Sequence, residues 1–187
     1  MKKIVFTRAD GGVSVMGPCE GARLAYSVTL PDGSKFSSQA ACPVDTFLRR
    51  WPVDGASVEW AETIDEFYAR IIAKDVPKDA TNLVMVNESE IPQDRTFRDA
   101  LAIIDEKIVY DMPKCREIHK EKLRQLRAPK LSALDVEFMR AVEAGDIQLQ
   151  QDIGLRKQAL RDVTAVPELT SAATPEALKL VIPDVLT

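Results

Sequence analysis

Asp111 opens the stretch DMPKCREIHKEKLRQLRAPKLSALDVEFMRAVEAGD, which continues as IQLQQDIGLRKQALRDV to Val163. Its apolar residues Met112, Cys115, Ile118, Leu123 and Leu126 fall mostly three to five apart, the spacing of one helix face. Asp111 is a good N-cap, and Pro113 stands in the first turn, where a missing N–H costs nothing. Pro129 is expected to kink or break the helix near Ala128, because it removes a donor and crowds the preceding turn. Leu131, Leu134, Phe138, Met139 and Val142 resume the stripe, and Gly145 suits the residue just past a helix end. A second helix is expected from about Gln148 to Val163, carrying Ile153, Leu160 and Val163. The short turn between them makes the pair an antiparallel helical hairpin.

Upstream the periodicity is mixed. Lys2 to Thr7 is β-branched, Ala9-Asp10-Gly11-Gly12 supplies a turn, and Val13 to Met16 alternates as a return strand would. Leu24 to Leu30 reads as a strand followed by a turn at Pro31-Asp32-Gly33-Ser34. Pro43 to Arg50 reads as a short helix ended by Trp51-Pro52, and Ser57 to Trp60 as a further strand. Thr63-Ile64-Asp65-Glu66 fits a capping box and opens a helix with Ile64, Phe67, Ile71 and Ile72 on one face, Tyr68 beside them. Asn82 to Asn87 reads as a short apolar strand that is expected to be buried. Asp94 can cap a turn that carries Phe97 inward, and Leu101–Ile104 with Ile108–Tyr110 make a second hairpin whose turn lacks glycine. Downstream, Thr174-Pro175-Glu176 starts a last short helix through Leu180, stopped by Pro183.

With 187 residues, 45% hydrophobic and 29% charged, the chain can bury roughly 70% of its unfolded surface without disulfides or metals. Cys19, Cys42 and Cys115 are odd in number and scattered, which fits a reducing compartment better than a disulfide framework. The N-terminus carries no signal-peptide core, and no apolar run reaches membrane-span length. These features point to a cytoplasmic protein without a membrane partner. A net charge of −4 argues against nucleic acid as the main partner.

Three groupings invite chemistry. Cys115 and His119 lie one helical turn apart and could share a metal ion or act as nucleophile and base. His119 is the sole histidine and no second ligand pair exists, so the expected role is a core cysteine beside a partly exposed histidine. The acidic residues near Glu59, Glu62, Asp65 and Glu66 are explained by caps and solvated faces. Seven Lys or Arg between Lys114 and Lys130 could follow a phosphate backbone, but Glu117 and Glu121 interrupt them and form i,i+3 pairs with Lys120 and Arg124. No catalytic, cofactor or metal residue is expected.

Three stretches carry a resemblance. Ile91 to Ala100, IPQDRTFRDA, resembles the P-x-D-R-T-F-R-x-A-W stretch of many small proteins encoded near bacteriophage and prophage tail genes. His119 to Asp135 resembles the R-x-x-R-x-x-L-L-x-x-x-D helix of phage tail assembly chaperones, and Arg156 to Val163 is similar to the Y-R-Q-A-L-R-D-I segment that follows there. Their order and rough spacing agree, although Leu101 and Val136 stand where that family has tryptophan. The resemblance implies a non-catalytic phage tail or tail-fibre assembly protein in the host bacterial cytoplasm, partnered with a tail or tail-fibre protein. A structural component of the virion and a small nucleic-acid-binding host-takeover protein are the alternatives, and self-association is a further mode of contact.

The expected fold class is α+β: residues 1–110 as an N-terminal region of two β-hairpins and one helix, then 111–187 as a C-terminal helical region. The expected contact surface is Leu123, Arg124, Leu126, Arg127, Leu131, Leu134, Phe138 and Leu160. Those apolar side chains serve equally well as a docking groove or as internal core.

Overall fold

The computed structural model describes residues 2–18, 23–40, 44–50, 52 and 54–187, with positions 36 and 38–40 described by backbone alone. The fold is α+β, as expected. The chain forms two compact units, Met1–Ile91 and Pro92–Thr187.

In the first unit β1 (Lys3–Thr7) and β2 (Val13–Met16) form the expected opening hairpin. Gly11 takes φ +78 at the turn, and the Gly12 amide donates to the Asp10 carboxylate at 2.8 Å. β3 (Leu24–Thr29) and β4 (Lys35–Ala40) form a second hairpin, from Leu24 opposite Ala40 to Thr29 opposite Lys35. Its turn is the Pro31–Ser34 segment, closed by the Gly33 amide on the Leu30 carbonyl. β4 is an addition to the expected elements, since KFSSQA has no apolar alternation and is held by pairing with β3. The short helix α1 spans Val44–Arg50, and the flanking Pro43 and Trp51 lie outside the described residues. β5 (Ser57–Ala61) joins β3 on its other side, giving the order β4-β3-β5.

The helix α2 (Ile64–Asp75) starts at the capping box read from the sequence: the Glu66 amide donates to Thr63 Oγ1, and the Thr63 amide donates to the Glu66 carboxylate. Phe67, Tyr68 and Ile71 are buried against Ile4, Phe6 and Leu24. Ile64, expected on that face, is half exposed in the first turn. β6 (Thr81–Val86) then pairs with β1, giving β2-β1-β6. As an edge strand it has only Val86 buried, with Leu83 and Met85 exposed, which corrects the expectation of a buried strand. Glu62 and Arg70 tie α2 to β3. The guanidinium donates to both Glu62 oxygens at 2.7 and 2.8 Å, and the Ala25 amide donates to Glu62 Oε2 at 3.0 Å.

The second unit begins with the Pro92–Phe97 loop and a 3-10 turn at Arg98–Ala100. The Thr96 amide donates to Asp94 Oδ1 at 2.8 Å, and Phe97 is buried, as the capped turn requires. β7 (Leu101–Ile104) and β8 (Lys107–Tyr110) form the glycine-free hairpin, with Asp105 and Glu106 at φ 48 and 60. Positive φ at both central residues is what a two-residue type I′ turn demands. This hairpin delivers the chain into α3 (Met112–Glu143), capped by Asp111 on the Lys114 amide. The seam therefore falls between Ile91 and Pro92, not at the change of period near 111. The reason is that Phe97, Ala100 and Leu101 are buried and the first two share the core of the helices.

Pro129 does not end α3, which runs through it for 32 residues. Pro129 and Gln125, whose carbonyl loses its donor, are both exposed, so water is available to that carbonyl. Leu123 and Leu134, on either side of the proline, are anchored in one core. The helix ends at Gly145 (φ +69), where the Gly145 amide reaches the Val142 carbonyl and the Asp146 amide the Ala141 carbonyl. That pair of bonds is the Schellman pattern. Asp146 then caps α4 (Ile147–Asp162) through the Leu149 amide at 2.9 Å, completing the antiparallel hairpin. Two five-residue helices follow, α5 (Pro167–Ser171) and α6 (Pro175–Lys179), and a 3-10 turn at Asp184–Leu186. One core runs through this unit, from Phe97 and Cys115 through Leu123, Leu134, Ile153 and Leu160 to Leu178 and Leu186.

Candidate docking surface

α3 is the element on which most of the expected contact residues stand, and its neighbours decide their roles. α4 covers its C-terminal half: Arg156 pairs with Glu137 at 3.4 Å, and Gln150 donates to the Ala141 carbonyl. α5 and α6 lie along the N-terminal half, where Arg116 and His119 reach their segment, and the final turn meets α3 at Lys130. Leu123, Leu134 and Leu160 are 0, 5 and 2% exposed, and Leu131 and Phe138 are half-buried against the same core. These five side chains are therefore internal packing; each buried leucine contributes about 1.5–3 kcal/mol by leaving water. Phe138 also carries Lys157 Nζ 5.0 Å from its ring centroid. Leu126 alone of the six apolar candidates faces outward, at 42% exposure.

The two arginines divide in the same way. Arg124 pairs with Glu121 at 3.1 Å on the surface of α3. Arg127 turns to α4, where its Nη1 donates to the Arg161 carbonyl at 2.7 Å. A cation there meets the negative end of the helix dipole and an otherwise unbonded carbonyl. Most of the rest of the basic series is also engaged. Arg116 donates to the carbonyls of Leu169 and Ala172 at 3.0 and 3.1 Å, and Lys130 donates to that of Val185 at 3.3 Å. Lys114 pairs with Asp111 and Lys120 with Glu117. Much of what reads as a basic face is thus a row of donors to the chain's own carbonyls and carboxylates. No spacing rule marks those acceptors, because backbone carbonyls leave no trace in a sequence.

Cys115 is fully buried, as expected, and burial pushes its thiol above the ordinary range, so the nucleophilic thiolate is disfavoured. His119 corrects the expectation of partial exposure: it is 1% exposed beneath the segment that follows α6. Its Nε2 lies 2.8 Å from the Val181 carbonyl, which requires the proton on Nε2, and Nδ1 has no partner. Among the described residues no three His, Cys, Asp or Glu side chains are grouped as metal ligands.

Lys179 forms an ion pair with Asp94, joining α6 to the Pro92–Phe97 loop. Hydrogen bonds from Lys179, then from Thr96, hold the Asp94 carboxyl well below its usual range, and the same pairing raises Lys179. Tyr110 donates to the Asp94 carbonyl at 3.2 Å, and burial pushes its phenol up. These groups tie α6 to the Pro92–Phe97 loop and that loop to β8.

The outward apolar residues were not anticipated as a group. Met139 and Val142 near the end of α3, and Ile147 and Leu149 at the start of α4, are 57, 45, 67 and 42% exposed around the Gly145 turn. No helix among the described residues is long and apolar enough to cross a membrane. No protein-family model, curated protein or solved structure matches the chain.

Proposed function

We propose that this chain is a phage tail or tail-fibre assembly protein that acts by protein–protein contact, without catalysis, in the host cytoplasm. One observation carries the reading: the three stretches that resemble tail assembly chaperones, Ile91–Ala100, His119–Asp135 and Arg156–Val163, fall essentially within one compact unit, Pro92–Thr187. They supply the capped turn at Phe97, the middle of α3 and the end of α4. Because Leu123, Leu131, Leu134 and Phe138 of α3 are internal, the surface offered to a partner is the outward set: Leu126, Arg124 and the apolar residues around Gly145. Exposed leucine, isoleucine and methionine at a helical hairpin's end suit an apolar partner segment awaiting assembly.

The test is co-expression with tail and tail-fibre proteins encoded beside it, followed by affinity capture of the tagged chain and mass spectrometry of purified particles. The expected outcome is capture of a tail or fibre protein and absence of the chain from particles. Fixed stoichiometry in particles would make it a virion component, and failure to capture any tail protein would overturn the reading.

A further inference from the structure

Residues 164–187 are fastened to α3 in a manner that differs from the rest of the fold. α5 and α6 are five residues each, well below the length at which a helix holds itself in water. Their amides bond locally, Ala172 to the Glu168 carbonyl and Leu178 to the Thr174 carbonyl, for example. What secures the segment to α3 is a row of side-chain donors reaching its carbonyls: Arg116 to Leu169 and Ala172, His119 to Val181, and Lys130 to Val185. Between them Leu169, Leu178 and Leu186 plug into the core. The segment follows α3 in the same direction, since its later residues meet later residues of α3.

We infer that this segment is a releasable strap, and that the surface beneath it takes an apolar, weakly acidic segment of a partner in the strap's place. Donors that read backbone carbonyls are indifferent to sequence, so any segment that turns its carbonyls to α3 satisfies them. The resident occupant defines the rest of the chemistry. Its buried leucines stand nine and eight residues apart (169 to 178, 178 to 186), and it carries Glu168, Glu176 and Asp184 against Lys179, three minus one, a net charge of −2. That sign complements Arg116 and Lys130. Release breaks side-chain ties and apolar contacts but no backbone ladder of α3 or α4. The inference rests on the contact-protein reading only for the existence of a visiting partner.

Two measurements on the full chain test it. In hydrogen exchange, amides of Leu169–Leu186 are expected to exchange by a smaller opening than those of α3 and α4, at least about tenfold faster. In the second, a fluorescent peptide of residues 164–187 is titrated against the wild-type chain and a Leu178→Ala chain. A resident strap taxes the visitor's affinity by the fraction of time the site is open, so the peptide is expected to bind Leu178→Ala about tenfold or more tightly than wild type. A scrambled peptide should bind neither. Equal affinity for both chains, or no binding to a folded Leu178→Ala chain, overturns the strap. If that variant loses its helical circular dichroism, the wild-type exchange decides: simultaneous exchange of the strap and the α3–α4 amides overturns it. Failure to capture tail proteins, with both peptide and exchange results positive, would refute the assembly reading and leave the strap standing.

Discussion

Leu123 and Leu126 stand three residues apart on α3 and meet opposite surroundings, the first fully buried and the second 42% exposed. Leu123→Ala is expected to cost about 2–5 kcal/mol, lost transfer energy plus a cavity, read as a lower urea midpoint by circular dichroism. Leu126→Asp should change stability by no more than about 0.5 kcal/mol while weakening capture of a partner, which separates packing from contact. Glu62 offers a test by pH. Arg70's hydrogen bonds, and then the Ala25 amide, hold its carboxyl low against the opposing effect of burial. A carboxyl lower in the folded state than in the unfolded one adds stability above the unfolded value, near about 4.3. That stability disappears as pH falls through the folded value. Denaturation followed between about pH 6 and 3 should therefore show a shallower acid decline in Glu62→Gln than in wild type.

Turns and caps decide where each segment stops. Asp105 and Glu106 both take positive φ, which costs a side-chain-bearing residue about 1 kcal/mol or more. Glu106→Gly should thus raise the melting temperature of the helical unit by about 4 °C or more, and a lowered one would refute the turn assignment. Thr63→Ala removes the cap of α2 and should cost about 1 kcal/mol. Features of this kind were legible beforehand because their causes are local: the capping box at Thr63, the Asp111 cap, the Gly145 stop and the opening hairpin each lie within a few residues. Three things were not. β4 exists through cross-strand pairing, which KFSSQA does not advertise. Pro129 carries a strong local preference that anchoring at Leu123 and Leu134 overrides. The stripe of α3 has the same pattern whether it packs at home or docks a partner, so its internal role needed the fold, as did the partners of Arg116, Arg127 and His119.

Among the described residues, the buried core of the helical unit runs from Phe97 to Leu186. Residues 92–187 expressed alone should therefore keep a helical circular dichroism spectrum and melt in one cooperative step. A fragment beginning at 111 should melt lower, having lost Phe97 and Ala100. If the two fragments proved equally stable, the β7–β8 hairpin would be an appendage and the seam would return to 111. The division also assigns the resemblance to one unit and leaves Met1–Ile91 with two three-stranded sheets around α2 and α1, free to carry a separate contact.

Cys115, sealed in the core one turn before His119, makes the helical unit its own chemical clock. A thiol with no exposure reacts only when the protein opens, so the rate at which iodoacetamide marks Cys115, resolved from Cys19 and Cys42 by peptide mapping, reports the fraction of time the unit stands open. No label need be engineered. A partner that clamps the unit shut would slow that clock, and one that pries it open would quicken it.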